Sequence, residues 1–466
     1  MHGTGLTATN DLDFELDIFG QQPAINIYTQ LCLCYSIQDP SSHSTIISTL
    51  TKGLERLSAS FPWVAGKVVN EGQCEGNTGV FKIKALEKAH LLVVKDLRDD
   101  PSIPTFDVLQ EAKFPFKMLD ESIVAPSRTL PTPEELASDT PVLVIQANFI
   151  TGGLLLTFVG RHGVMDMTGQ GHVMHLLSKT CRGEGFTSEE MSVGNIDRCS
   201  VIPFFDDLWT PGPELDRQIV KPTVPPPVSD GPDGQPVPPP PPKSSWAYFI
   251  FSPSSLASLK SLGTKSVSSG FVSTDDTLSA FIWQAVTRAR IPRLDAKAES
   301  TFARAIDPRR YLDIPTKYPG LVQNMTYHTY TAESLAEEPL GSVASNLRSA
   351  VDPKTSDIGY RTRALATYLK RSPQKNVANV TATLDLSSGI MLSSWAKENS
   401  YDLDFGLGLG KPEAVRRPQF VPVESLMYLM PKRQDGEIVA GLCLRDEDME
   451  RLKVDEEFVK YGKYIG

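Results

Sequence analysis

His162 is the residue in this chain best placed by type and context to move a proton. It sits in Arg161-His162-Gly163-Val164-Met165-Asp166, just past the apolar run Leu154–Val159, and Gly160 and Gly163 bracket it. The pattern predicts a strand that turns there and a helix that follows, with Val173, Met174, Leu176 and Leu177 at apolar positions. An imidazole on such a turn projects from a rigid edge into a crevice. Its near-neutral pKa suits it to take a proton from a hydroxyl and return it to a leaving group. Asp166 could orient the ring directly or brace the loop by pairing with an arginine. A bare HxxxD recurs by chance, and a histidine that only satisfies loop backbone groups is the bland alternative. His172 and His175 follow on the predicted helix and raise a metal reading. No HExxH pattern appears and the turn separates them from His162, so no metal site is expected.

Two further segments have the composition of ligand-contacting loops. Asp404-Phe405-Gly406-Leu407-Gly408-Leu409-Gly410-Lys411-Pro412 alternates three glycines, which allow close backbone approach or turns with positive φ. No GKS/T follows, so it is not a Walker loop. Phe271-Val272-Ser273-Thr274-Asp275-Asp276 precedes a predicted helix, where Ser273 or Thr274 is a natural N-cap. A helix end can hold an anion, but Asp275 and Asp276 oppose phosphate directly there.

The elements that position these groups mix strands and helices. Strands are expected at 24–37, 142–150, 154–159, 246–251, 302–306, 322–330, 425–430 and 438–444. Helices are expected around 46–57, 254–262, 275–290, 335–351, 360–369 and 447–453. Thr210–Lys243 is dense in proline, which blocks helix and central strand and favours an extended linker. It predicts an N-terminal domain at 1–209, a crossover at 210–243 and a C-terminal domain at 244–466, both domains α/β with mixed sheets.

The chain has 466 residues, 46 Lys+Arg against 56 Asp+Glu and a net charge of −10, with 40% hydrophobic and 22% charged residues. That suits a soluble protein of two or more domains and argues against nucleic acid as main partner. Six cysteines without a CxxC pair argue against a zinc ribbon or a thioredoxin-type site. The first thirteen residues lack a basic segment followed by an apolar core, so no secretory signal is expected. No apolar run approaches the roughly 18 residues of a membrane span. A cytoplasmic monomer follows as the expectation.

Taken together, His162-Gly163-Val164-Met165-Asp166 and Asp404-Phe405-Gly406-Leu407-Gly408 resemble the HxxxD and DFGWG marks of the BAHD acyltransferase superfamily, in the right order and separation. Phe61-Pro62-Trp63-Val64-Ala65-Gly66-Lys67 resembles the family's early Pro-x-x-Ala-Gly-(Arg/Lys) segment. The stretches 93–102, 162–170, 271–283, 321–328, 391–397, 404–418 and 444–453 are similar to the fungal trichothecene 3-O-acetyltransferase branch. Leu407 stands where the superfamily has Trp.

The resemblance implies two chloramphenicol-acetyltransferase-like domains with a channel between them and His162 at its middle. It implies acetyl-CoA as co-substrate and direct acetyl transfer to the C3 hydroxyl of a trichothecene sesquiterpenoid, as toxin self-protection or detoxification. His162 would be general base. Asp166 would point away from the substrates and pair with Arg309, with Asp404 a second structural brace. Lys260, Lys265, Ser273, Thr274, Ser394 and Arg416, with Arg417 beside it, are candidates for CoA. Met165, Asn324, Met391 and Leu407 are candidates for the acceptor. Ser393, Ser394 or Asn324 would supply an oxyanion donor. The alternatives are another alcohol or amine as acceptor, or a non-catalytic terpenoid-binding homologue. A condensation-type domain is disfavoured, because Arg161 and Met167 flank the motif where HHxxxDG is preferred.

Overall fold

The computed structural model describes residues 12–221, 242–267 and 270–466. Two large sheets carry the molecule. The N-terminal sheet has the strand order Ala414–Arg416, Tyr28–Ser36, Gly153–Arg161, Leu143–Ile150, Leu92–Asp96. The C-terminal sheet has seven strands in the order Asn324–Thr331, Glu299–Ile306, Ile390–Ser394, Leu426–Leu429, Ile438–Arg445, Ser244–Phe251, Gly462–Tyr464. Both mix parallel and antiparallel pairs. A small three-stranded sheet of Asp13–Glu15, Val80–Lys84 and Lys67–Glu71 flanks the first.

The hairpin predicted around Gly152 and Gly153 forms, pairing Leu143 with Gly160 through Ile150 with Gly153. Its two strands are buried along their whole length, which explains their near-continuous apolar reading. Helix His43–Ser60 buries Ile46, Leu50, Leu54 and Leu57 in the N-terminal core. Helix Thr274–Arg290 is buried almost throughout, with Trp283 among the largest enclosed side chains of the C-terminal core.

Some expectations shift. The predicted strand at 24–37 starts at Tyr28, because Pro23 opens a short 3-10 turn. The helix expected at 335–351 is two, Ala332–Glu337 and Leu340–Ser349, broken at Pro339. The Pro-rich crossover lies outside the described residues over 222–241. Its expected first part is not bare linker. Leu215 is fully buried, Ile219 bridges Ala378, and Asn379 N donates to Gln218 O at 2.8 Å.

One segment crosses the expected division into 1–209 and 244–466. Strand Ala414–Arg416 belongs to the N-terminal sheet, paired with Cys32–Cys34. Leu403, Phe405 and Leu407 pack in the core that holds Leu31, Phe158 and Leu176. A strand from the second half completes the first sheet, so the cleft between the sheets is built by both halves. Among the described residues no helix is long and apolar enough to cross a membrane.

Candidate active site

A cavity of about 200 Å³ lies where the two sheets meet, lined by residues from both, among them Tyr28, His162, Met167, Met391, Ser393 and Arg417. His162 stands at the end of strand Gly153–Arg161, and its own N–H donates to Ile27 O at 2.8 Å, extending the ladder by one residue. The following turn closes through Val164 N and Met165 N onto Arg161 O, at 3.0 and 3.1 Å. Gly20 lets this loop seat, since a Cβ there would lie 2.1 Å from Gly163 O.

His162 Nδ1 lies 3.3 Å from Met165 O. A carbonyl oxygen can only accept, so Nδ1 carries the proton and Nε2 keeps its lone pair. Nε2 has no protein partner among the described residues, on a side chain that lines the cavity. Burial lowers the His162 pKa; the Met165 contact and Asp166 oppose this, and the Arg417 charge adds to it. The ring is therefore neutral at pH 7 and free to accept a proton.

Asp166 does not hydrogen-bond the ring. It caps helix Met167–Cys181, with Oδ1 accepting from Gly169 N at 2.8 Å. Oδ2 accepts from Arg309 Nη2 at 2.8 Å and Val322 N at 2.9 Å. Burial pushes its pKa up, while Arg309 and the two amides pull it back. Arg309 is 1% exposed and also donates to Gly320 O, Tyr318 O and Asp307.

A second pair escaped the sequence reading. Buried Asp17 accepts from Leu321 N at 2.9 Å and Arg198 at 3.3 Å, and Arg198 also donates to Val164 O at 2.8 Å. The loop between His162 and Asp166 is thus held from two sides by buried ion pairs. Nothing in the spacing of Asp17 and Arg198 signals that contact.

The other expected site residues fall in several places. Met391, Ser393 and Ser394 line the cavity. Ser394 donates to Asp275, and Ser393 Oγ accepts from Trp395 Nε1 at 2.9 Å, which leaves its own O–H to donate. Three acceptor or oxyanion candidates need correction. Met165 is fully buried in the N-terminal core and does not line the cavity; Met167 does. Asn324 is fully buried, its Oδ1 accepting from Gln218 and Met325 N and one amide N–H bonded to Thr362. It does not line the cavity and so cannot reach an oxyanion there. Leu407 packs in the core, away from the cavity.

Among the CoA candidates, Arg416 is also corrected. It is 3% exposed and donates to the carbonyls of Phe114, Val415 and Lys113. Ser273 is consumed by a capping box with Asp276, which is itself held by Arg304 and Arg348. Thr274 is half-buried beside it. Lys260 and Lys265 lie on helix Pro253–Lys265 and form no ion pair among the described residues. Asp404 is exposed: its Oδ1 accepts from Gly406 N at 2.8 Å and its carbonyl from Arg182, fixing a loop in which Gly406, Gly408 and Gly410 all have positive φ. His172 and His175 stack on one helix face with His175 near Glu190. Among the described residues no three His, Cys, Asp or Glu side chains gather as a metal site.

Glu398 was not anticipated. It lines the cavity with one side-chain hydrogen bond, from Thr168 at 3.3 Å, and burial beside Asp166 pushes its pKa up from 4.5 to about 7. A carboxyl that binds its proton more tightly when folded favours the fold below pH 4.5 and loses that advantage as pH rises through about 7. Glu398→Gln should therefore match the parent in stability near pH 4.5 and exceed it by up to about 3 kcal/mol at pH 8. Thermal unfolding of both proteins at the two pH values checks this; an equal offset at both would mean Glu398 does not titrate in the fold.

Residues 27–181 match the family model described as the trichothecene 3-O-acetyltransferase-like N-terminal domain. The chain is 58% identical to the O-acetyltransferase dmxR13 of a Cryptosporiopsis species, over 98% of each chain. It is 53% identical to trichothecene 3-O-acetyltransferase TRI101 of Fusarium sporotrichioides, over 100% of each. The crystal structure of F. graminearum TRI101 complexed with coenzyme A and deoxynivalenol shares the fold with a TM-score of 0.91 at 50% identity, across 97% of this chain and 100% of that one. Vinorine synthase shares it at 16% identity with a TM-score of 0.66, across 99% and 98%.

Proposed function

The chain belongs to the trichothecene 3-O-acetyltransferase family, O-acetyltransferases of the BAHD fold, and on that premise we propose that it transfers acetyl from acetyl-CoA to the C3 hydroxyl of a trichothecene, with His162 as general base. One observation carries the reading: a neutral imidazole faces a cavity between the two sheets with Nδ1 pinned by Met165 O and Nε2 free.

The proton path follows from that tautomer. Nε2 takes the proton of the C3 hydroxyl as its oxygen attacks the thioester carbonyl. The C–S bond then breaks, and the imidazolium returns the proton to the CoA thiolate. No acyl-enzyme forms. Bringing both reactants into one cleft removes much of the entropic barrier. With Asn324 sealed and the Ser394 hydroxyl engaged by Asp275, Ser393 is the remaining candidate to donate to the developing oxyanion. Lys260 and Lys265 supply cations for the CoA phosphates. Their helix packs on helix Thr274–Arg290, whose first turn reaches the cavity wall through Asp275 and Ser394. Met391 and Met167 give the acceptor apolar walls. Asp166 with Arg309, and Asp404 in its own loop, act as braces.

The proposed enzyme acts as a monomer in the cytosol, where acetylation of a toxin's hydroxyl suits self-protection or detoxification. Purified protein with acetyl-CoA and deoxynivalenol should release thiol and yield a product heavier by one acetyl group, located at C3 by NMR. No thiol release above the rate without acceptor would sink the reading. A second acceptor class has one observation in its favour: a relative at 58% identity is named as an O-acetyltransferase without reference to trichothecenes. The same assay with non-trichothecene alcohols and amines as acceptors tests it.

A further inference from the structure

Arg417 is a buried cation with too few partners. It is 2% exposed and lines the cavity that holds His162. Its guanidinium is stacked among three rings, with Phe420 at 4.6 Å, Tyr428 at 4.7 Å and Trp395 at 5.4 Å from their centroids. Such a box fixes the plane of the fork and desolvates it. Only one side-chain hydrogen bond is made among the described residues, from Nη2 to Thr129 Oγ1 at 3.3 Å. Nε is buried without a partner, and Nη1 has none either. Arg416 and Arg309 engage all three nitrogens, and the equally buried Arg161 and Arg290 leave Nε bare but engage both Nη groups, whereas Arg417 engages one Nη alone.

We infer that Arg417 binds the acceptor: its unspent donors take a neutral oxygen of the alcohol substrate, a carbonyl, ester or hydroxyl set apart from the hydroxyl under attack. This deepens the acceptor half of the proposed function and rests on it. The depth of the side chain disfavours a CoA phosphate, which belongs at a hydrated mouth. A neutral oxygen is favoured over a carboxylate because the buried Glu121 carboxyl already lies near enough for its charge to act on Arg417. Glu121 Oε2 accepts from Thr129 N at 2.7 Å and Gln30 at 3.1 Å. Thr129 thus links the two, and the open Nε and Nη1 donors lack hydrogen bonds more than countercharge. Arg417 is a binding residue in this assignment, and the acceptors it selects are oxygen-rich alcohols over plain hydrocarbon ones.

The test compares wild type, Arg417→Met and Arg417→Lys with deoxynivalenol and acetyl-CoA varied separately. Arg417→Met should stay folded by circular dichroism and raise the deoxynivalenol KM by about tenfold or more, the loss expected for a hydrogen bond from a charged group. The acetyl-CoA KM should stay within about twofold, since a lost acceptor contact is not shared by the other substrate. Should the Met variant fail to fold, Arg417→Lys, which keeps charge and stem in the aromatic box, is judged by the same split. A folded variant with the acceptor KM unchanged, or with only the acetyl-CoA KM raised, overturns the inference. Wild type that does not acetylate deoxynivalenol overturns the proposed function itself and this inference with it; an active wild type with an unmoved variant overturns this inference alone.

Discussion

His162→Ala is expected to lower kcat by about three to four orders of magnitude, the upper range of general-base contributions, with the fold intact. The fold should survive because the imidazole contributes a single long contact, to Met165 O, while the loop is held by Arg198, Arg309 and the Ile27 carbonyl. The loss falls on kcat because the proton moves in the transition state while both substrates bind elsewhere in the cavity. Unchanged unfolding midpoint and acetyl-CoA KM, with thiol release reduced to near background, is the expected set of results; a variant that acetylates at the parental rate removes His162 from the chemistry. The pH profile gives an independent check. A base works when neutral, so activity disappears as pH falls through the pKa of His162. Burial lowers that pKa, so the acid limb of kcat/KM should lie below the ordinary histidine value of 6.5.

How much of this site could be read from the chain alone differs residue by residue. His162 and Asp166 were legible because their spacing is local, one strand end and one helix start. The Asp166–Arg309 contact spans 143 positions and entered only through resemblance. Met165 and Met167 are chemically equivalent, yet the turn closing on Arg161 O sends the first into the core and leaves the second at the cavity. Asn324 is a candidate donor in the sequence because nothing there shows that Gln218, inside a Pro-rich stretch, folds back onto its oxygen while Thr362 takes an amide N–H, sealing it from the cavity. Arg416 and Arg417 are adjacent, so their fates depend on direction. Arg416 turns to the carbonyls of Lys113 and Phe114, two residues with positive φ. Arg417 turns to the cavity. The exchange of strand Ala414–Arg416 into the other sheet is equally silent, since three residues carry no periodicity.

Breaking the Asp166–Arg309 pair on one side should cost more stability than any other single change at the site. Both groups are buried, and removing Arg309 strands the Asp166 charge in the interior, a loss of about 3–5 kcal/mol, while removing Asp166 leaves Arg309 with Asp307 and costs less. Arg309→Met would leave Asp166 with two amide donors and free the Tyr318–Gly320 carbonyls. Asp166→Asn would keep the Gly169 cap acceptor but turn an amide toward, or away from, a guanidinium it cannot neutralise. In Asp166→Leu/Arg309→Met, neither ion remains, so its destabilisation should be smaller than the sum of the two single changes, the signature of direct coupling. Activity should track the loop: variants that lower the unfolding midpoint should raise KM and lower kcat together as His162 shifts. A bracing carboxylate and a proton-relaying one separate here. Were Asp166→Asn to keep the parental unfolding midpoint and substrate KM values yet match His162→Ala in lost kcat, Asp166 would be acting on the proton, and the ion pair with Arg309 would not be its purpose.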